Sequence, residues 1–379
     1  MDKLKLIKLN NSLNLIATPN LIGVPNLEKL VLNGCIKLHE VHPSIMVLKR
    51  LTLLDLENCK SLKSLLGKFE MESLQILILS GCSKIKRIPE FMGNMKPLSE
   101  LHLNGTAIMK LPFLVEHLAN LASLQLKDCK NLMCFPSIIC SLKSLKDINL
   151  AGCSNLVSLP EELWIVESLE QLDVSGIAFR ELPFFVVALK IPKALSFKGC
   201  KGPPPKLINK HFPFNLMPRR SLNPVSLLLP SFLGLSSLRK LDLSDCNLQT
   251  IPNDIGNLSS IYILNLSENH FSYLPESIGQ LFKLERIYLS NCTRLRSLSQ
   301  FPSTTAWVKV DGCTSLETFP NGFKSHNLYT SLSLANCHEL ADRSDMFFNV
   351  LRMVLTVHQL SLSLSLYIYI YVNSEYHGL

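Results

Sequence analysis

Large apolar residues recur along the chain in a single spaced frame, apolar-x-x-apolar-x-apolar-x-x-small, and not in continuous blocks. One copy places leucine at Leu27, Leu30 and Leu32 and a small side chain at Cys35. The middle of the frame alternates apolar and polar positions with a period of two, which predicts a short β-strand with one buried face. Copies of this frame follow one another along nearly the whole chain.

The last position of the frame forms a column of small residues whose members are mostly 23 or 24 positions apart. The column consists of Ser12, Cys35, Cys59, Cys82, Thr106, Cys129, Cys153, Ile177, Cys200, Cys246, Asn269, Cys292, Cys313 and Cys337. This period and the leucine spacing are those of leucine-rich repeats (LRRs). A single repeat cannot bury its own leucines, so the stability of such an array depends on stacking.

The predicted fold class is α/β: an LRR solenoid, or horseshoe, with a parallel β-sheet on the concave face and irregular or short helical convex segments. Fourteen strands stacked about 4.8 Å apart would form a ridge on the order of 65 Å long. The outer half of a repeat often ends in an apolar-proline pair, such as Leu159-Pro160. Proline cannot donate to a β-ladder, so these pairs are expected to turn the chain away from the sheet.

Breaks in the frame predict four segments. Residues 1–200 form an N-terminal repeat array, and 201–231 a proline-rich basic insertion that contains one partial repeat. Residues 232–345 form a C-terminal array, and 346–379 a tail that lacks the frame. Alternating Leu-Ser and then Tyr-Ile residues in the tail match the translation of CT and TA dinucleotide repeats. An unstructured or mistranslated tail is therefore favoured over an edge strand or a hydrophobic anchor. Neither end carries a polar cap, so a piece of a larger protein is expected.

Composition agrees with a buried repeat core, since 47% of the residues are hydrophobic and only 18% are charged. The first residues lack a signal-peptide core, and no apolar stretch reaches the roughly 20 residues of a membrane span. A cytoplasmic or nucleocytoplasmic location is expected. Ten of the twelve cysteines occupy the column, which favours buried, reduced thiols over disulfides or a zinc site. No cofactor and no metal are predicted.

The outward positions of the strands are the candidate binding surface, because side chains alternate between the two faces of a strand. Two groups of these outward residues, one apolar and one aromatic and basic, are expected to contact a protein partner. The candidate residues are Val31, Leu53, Ile76, Ile78, His102, Tyr262, Ile263, Arg286 and Tyr288. No acid–base pair has a spacing with a catalytic mechanism, so no enzymatic activity is predicted.

The basic insertion is a second candidate contact, for a negatively charged partner. The alternative is a solvated, proline-stiffened loop without a partner. Its candidate residues are Lys201, Lys206, Lys210, Arg219 and Arg220. Nucleic acid is an unlikely ligand, because the segment offers Phe212 and Phe214 but no recognised nucleic-acid module.

Several motifs resemble the LRR region of plant intracellular immune receptors of the TIR–nucleotide-binding–LRR (TIR-NBS-LRR) class. They are the cysteine column, Val41-His42-Pro43-Ser44-Ile45, Leu103-Asn104-Gly105-Thr106-Ala107-Ile108, Gly199-Cys200-Lys201-Gly202-Pro203-Pro204 and Leu241-Asp242-Leu243-Ser244-Asp245-Cys246-Asn247-Leu248. The likeness runs from about Leu4 to Asn349, with Met46 where the family tends to have glycine.

The resemblance implies a disease resistance protein of plant innate immunity. The implied roles are recognition of a pathogen effector or a guarded host protein, and restraint of the receptor's nucleotide-binding domain during defence signalling. The chain contains no Gly-x4-Gly-Lys-Ser/Thr phosphate loop. The nucleotide switch and the NAD-cleaving TIR domain are therefore expected elsewhere.

Two alternatives stay open at the level of sequence. One is a fragment of an extracellular LRR receptor, since glycosylation sequons begin at Asn10, Asn104, Asn257, Asn265 and Asn291. The other is a stand-alone LRR scaffold or a pseudogene remnant.

Overall fold

A computed structural model describes residues 3–65, 68–92, 95–111, 118–177, 179, 186, 188–189, 191–201, 232–319, 331–341 and 368–369. Two compact units divide the chain. Unit 1 comprises Met1–Ile177 and Pro183–Ala194, and unit 2 comprises Ala178–Leu182 and Leu195–Leu379.

In unit 1, one short strand per repeat stacks in parallel on the strand of the next repeat. The repeat strands are β1 Leu6–Lys8, β2 Lys29–Val31, β3 Leu53–Asp55, β5 Ile76–Ile78, β7 Glu100–His102, β8 Ser123–Gln125, β9 Asp147–Asn149 and β10 Gln171–Asp173. Two further strands, β4 Lys68–Phe69 and β6 Glu90–Phe91, form a separate parallel pair. The rings of Phe69 and Phe91 meet edge to face there, with their centroids 6.4 Å apart.

Unit 2 repeats the same arrangement. Its strands are β12 Lys240–Asp242, β13 Ile263–Asn265, β14 Arg286–Tyr288, β15 Trp307–Lys309, β16 Ser331–Ser333 and β17 Ile368–Tyr369, and each pairs in parallel with the next. Strand β11, Ala194–Ser196, lies where the chain passes from unit 1 to unit 2. The α-helix of the described residues is α1, His338–Ala341.

The sequence frame explains why each repeat strand is short and one-sided. In β5 the central Leu77 is fully buried, while Ile76 and Ile78 on either side are half-buried. Leu54 of β3 and Leu101 of β7 are register partners of Leu77, so the leucines of successive repeats form one continuous core. The prediction of a parallel-strand LRR solenoid is confirmed.

The segments outside the strands contain short 3-10 helices. They are Pro43–Val47, Ser137–Ser141, Glu161–Ile165, Asn253–Asn257 and Glu276–Gln280. Four of them begin directly after a proline, namely Pro136, Pro160, Pro252 and Pro275. Proline therefore ends the extended chain, as the sequence predicted, and its fixed φ suits the residue that precedes a helical turn.

The predicted segment boundaries stay predictions. Of the basic insertion, only Lys201 is among the described residues, and of the tail 346–379 only Ile368–Tyr369.

The column cysteines connect each repeat to the one before it. The Cys82 Sγ donates a hydrogen bond to the carbonyl oxygen of Leu56 at 3.1 Å, and the Cys59 Sγ donates to that of Leu32 at 3.3 Å. The acceptor is each time the apolar residue that directly follows the strand of the preceding repeat. The same bond is made by Cys35, Cys129, Cys153, Cys246, Cys292, Cys313 and Cys337. All twelve cysteines are free thiols.

Asn269 occupies the same column and makes more bonds than a cysteine can. Its Nδ2 donates to the carbonyl oxygens of Leu243, at 2.9 Å, and Leu266, at 2.8 Å. Its Oδ1 accepts from the backbone N–H groups of Cys246, at 3.2 Å, and Leu248, at 3.0 Å. The amide thereby satisfies turn groups that are buried away from water.

We expect Asn269→Ala to lower the free energy of unfolding by about 3 kcal/mol, because it leaves several buried donors and acceptors without partners. Asn269→Cys should cost clearly less, since a thiol keeps the bond to Leu243 that other repeats use. Urea unfolding followed by circular dichroism measures both. Equal losses for the two variants would contradict a hydrogen-bonding role for the column.

Burial also affects the protonation of the column thiols. Desolvation raises the pKa of Cys59, Cys82, Cys153 and Cys246 from the ordinary value of 9.0 to about 12. The folded protein therefore retains protons that the unfolded chain releases above about pH 9.

It follows that the stability supplied by neutral thiols is fully present below about pH 9 and is lost as the pH rises toward 12. We expect the urea midpoint at about pH 10.5 to fall below that at about pH 8. The exposed Cys134 provides the control, because Cys134→Ser should leave the pH dependence unchanged. A midpoint that does not move with pH would refute buried, protonated thiols.

Candidate protein-binding face

The first and third residues of each repeat strand point away from the leucine core. Their burial alternates with that of the central residue: in β3, for example, Leu53 and Asp55 are half-buried around the buried Leu54. We call these outward positions the strand face. Because the strands are parallel and in register, equivalent positions of neighbouring repeats lie about 4.8 Å apart.

The strand face of unit 1 brings three of the predicted apolar residues together. Leu53 and Ile76 are register partners on β3 and β5, and Ile78 lies two residues beyond Ile76. Val31 is not part of this group, because Asp55 stands between Val31 and Ile78 in the register. The apolar patch is thus smaller than the sequence suggested and has a carboxylate at its edge.

Next to the apolar patch, the face becomes polar and hydrogen-bonded. His102 Nε2 lies 2.9 Å from the Glu100 carboxylate on the same strand. Asp147 accepts hydrogen bonds from Ser123, at 3.2 Å, and from Gln125, at 2.5 Å. Burial raises the pKa of Asp147, and the two hydrogen bonds act in the opposite direction. These bonds fix the side chains in one arrangement, so this part of the face is preorganised.

In unit 2 the predicted aromatic–basic residues do lie side by side. Ile263 and Arg286 are register partners on β13 and β14, and Tyr262 directly precedes Ile263. The Arg286 Nε is 3.7 Å from the Glu285 carboxylate. A hydrogen bond to that carboxylate raises the pKa of Tyr262, since it favours the protonated phenol. Tyr288 lies two residues beyond Arg286 on the same strand.

Trp307 was missed by the sequence reasoning. It is the register partner of Arg286 and is 43% exposed. Counting back from Cys313 makes Val308 the central residue of β15, which places Trp307 at an outward position. The weaker leucine pattern of this repeat concealed that signal. Lys309 completes the strand, with its Nζ 3.6 Å from the Asp311 carboxylate.

The structure tests one residue of the basic insertion. Lys201 forms a 2.7 Å ion pair with Asp245 in unit 2. The other predicted residues, Lys206, Lys210, Arg219 and Arg220, lie outside the described residues.

A shallow groove of about 390 Å³ lies beside the beginnings of strands β2, β3 and β5. Its lining comprises Glu28, Arg50, Thr52, Glu72, Ser73, Gln75 and Pro97. Glu28 pairs with Lys5 at 2.8 Å, and that contact lowers the pKa of Glu28. The groove is open to solvent and carries charges of both signs, so it lacks the apolar enclosure of a small-molecule site.

Two other features are absent from the described residues. No cluster of three or more His, Cys, Asp or Glu side chains is arranged to hold a metal ion. No helix in that part of the chain has the length and apolar character to cross a bilayer.

Comparison with known proteins agrees with the repeat pattern. A leucine-rich repeat family model matches residues 236–295. The TMV resistance protein N of Nicotiana glutinosa is 33% identical over 314 residues, which are 82% of this chain and 26% of that protein. A disease resistance-like protein of Arabidopsis thaliana is 35% identical over 345 residues, which are 89% of this chain and 26% of its own length.

Among solved structures, an LRR protein of Leptospira interrogans is 20% identical with a TM-score of 0.49, covering 93% of this chain and 94% of its own. The chain spans about a quarter of the length of the curated relatives it matches. Sequence similarity over most of the chain, together with the repeat fold, shows an LRR region similar to that of plant disease resistance proteins of the TIR-NBS-LRR class.

Proposed function

We propose that this chain is the protein-recognition module of an intracellular plant immune receptor. Its strand faces would bind a pathogen effector or a guarded host protein, and would contact the receptor's nucleotide-binding domain to restrain it. The observation that carries the proposal is the strand face itself, on which apolar, aromatic and arginine side chains are held outward by stacked strands.

The composition of this face suits a protein partner. In unit 2, Arg286, Tyr288 and Trp307 belong to the residue types enriched at interface hot spots. In unit 1, Leu53 and Ile76 offer apolar area on the strand face. Each strand contributes two outward residues, and adjacent strands place these residues side by side. Together they present an extended surface and not a pocket. An extended surface of this kind suits a protein partner, since standard protein interfaces spread over about 800 Å² per partner.

An intracellular location is supported by the thiols. The twelve cysteines are free, and this many unpaired thiols suit a reducing compartment, since secreted proteins commonly pair their cysteines in disulfides. The extracellular alternative is also weakened at Asn265. That sequon side chain is half-buried on β13 and donates to Asp242 at 3.2 Å, so a glycan there would break an existing contact. The chain would serve as a non-catalytic module, with signalling output in other domains.

We expect two sets of strand-face variants to abolish partner binding without unfolding the protein. One set is Leu53→Ser with Ile76→Ser and Ile78→Ser, and the other is Arg286→Ala with Trp307→Ala. Loss should exceed 10-fold in affinity, because truncated hot-spot side chains typically cost 2 kcal/mol or more each. Binding is measured by co-immunoprecipitation against a panel of secreted pathogen proteins and against the nucleotide-binding domain of the TMV resistance protein N.

The matched control replaces two exposed apolar residues away from the strand face, Val157→Ser and Phe282→Ser. These variants should bind like the unchanged chain, and circular dichroism should report folded protein in every case. A partner that is lost with the control pair but retained by the strand-face sets would overturn the proposal.

A further inference from the structure

Unit 1 carries a regular row of cations just after the cysteine column. The first or second residue after the column is an exposed lysine in four repeats: Lys37, Lys60, Lys84 and Lys130. Stacking aligns these loops, since Lys37 Nζ donates to Asn14 of the preceding repeat at 3.2 Å. The Ser61 N–H likewise donates to the Ile36 carbonyl at 3.1 Å.

A second row follows a few residues later in the same loops. It consists of the exposed Lys63, Lys86, Arg87 and Lys110. We call the two rows together the basic flank. From the repeat of Lys37 to that of Lys130 there are four stacking steps, so the flank extends over about 20 Å. It is distinct from the strand face, because its residues lie in the loops and not in the strands.

The cations of the flank have no carboxylate partner, in contrast to two other lysines of unit 1. Lys5 pairs with Glu28 at 2.8 Å, and Lys193 pairs with Glu170 at 2.7 Å. Within the described residues, none of the eight flank cations lies within ion-pairing distance of an acidic side chain. Eight like charges in neighbouring stacked loops repel one another, and a bound polyanion would relieve that repulsion.

The surroundings of the flank distinguish between kinds of polyanion. Ile36, Met109 and Met133 are exposed in the same loops, by 39%, 47% and 53%. The carboxylates of Glu40 and Asp128 are exposed there as well. These two carboxylates oppose every polyanion alike, whereas the exposed apolar side chains favour a partner with apolar groups of its own, which a phosphate backbone lacks. Stacking of nucleic-acid bases needs exposed aromatic rings, and Phe135 in this region is buried.

We propose that the basic flank of unit 1 docks an acidic protein segment with interspersed apolar residues. Acidic side chains would meet the two rows of cations, and apolar side chains would cover Ile36, Met109 and Met133. This surface lies apart from the strand face and adds a second, electrostatically driven contact to the proposed function. Electrostatic contacts of this kind chiefly increase the association rate and fall steeply with salt.

The test uses the full chain and a fluorescent 20-residue peptide that repeats Asp-Glu-Leu. The flank variant is Lys63→Glu with Lys86→Glu and Arg87→Glu. The control variant, Lys96→Glu with Lys143→Glu and Lys283→Glu, changes three exposed lysines outside the flank and alters the net charge equally. Fluorescence anisotropy at about 50 mM salt should show at least a 10-fold weaker affinity for the flank variant and less than a threefold change for the control.

Three outcomes would overturn the proposal. They are no binding of the peptide, an equal loss for the flank and control variants, and tighter binding of phosphatidylserine vesicles or of a 20-nucleotide single strand than of the peptide. Thermal unfolding of both variants checks that the fold is intact. Strand-face variants, tested with the same peptide, should bind normally, so failure of this proposal is distinguishable from failure of the proposed function.

Discussion

The structure depends on the bonding of each repeat to its predecessor, because no repeat has a core of its own. Leu54, Leu77 and Leu101 are buried in register with one another on three stacked strands. The thiol-to-carbonyl bond adds direction to this apolar contact, since Cys82 can reach the Leu56 carbonyl only when the two repeats are in register. Stacking therefore fixes the register, and the register fixes every outward position of the strand face.

The repeat fold could be predicted from the sequence because the residues that define its period are in the same buried environment in successive repeats. Leucine at the strand centre and cysteine at the column are both fully buried, so substitutions there are costly and the pattern remains visible. Each of the fourteen strands that the frame predicted is present as a strand of three residues. The proline-initiated turns followed from the same logic, since Pro160 and Pro252 precede 3-10 helices.

The candidate surface could be predicted only in part. Outward positions follow from the alternation, but which of them meet depends on the register between strands. Asp55 thus separates Val31 from the apolar patch, and Trp307 joins Arg286 although its own repeat is degenerate. The basic flank was overlooked for a different reason. Loop residues such as Lys63 and Lys86 form a row only when the stacked loops are seen together, and no periodicity within one repeat reveals it.

One member of the column behaves differently from the cysteines. The Thr106 hydroxyl donates to the carbonyl of Leu103 in its own repeat, at 2.8 Å, and not to the repeat before it. The joint on the N-terminal side of Thr106 therefore lacks the column bond that the cysteines make, and is held by backbone ladder bonds, apolar contact and the exposed bond from the Ser99 hydroxyl to the Gln75 carbonyl oxygen. In a chain of nearest-neighbour couplings, the weakest coupling decides where cooperativity ends. Local opening of unit 1 should begin at this joint, which would let the repeats on its two sides exchange their amide protons as separate blocks.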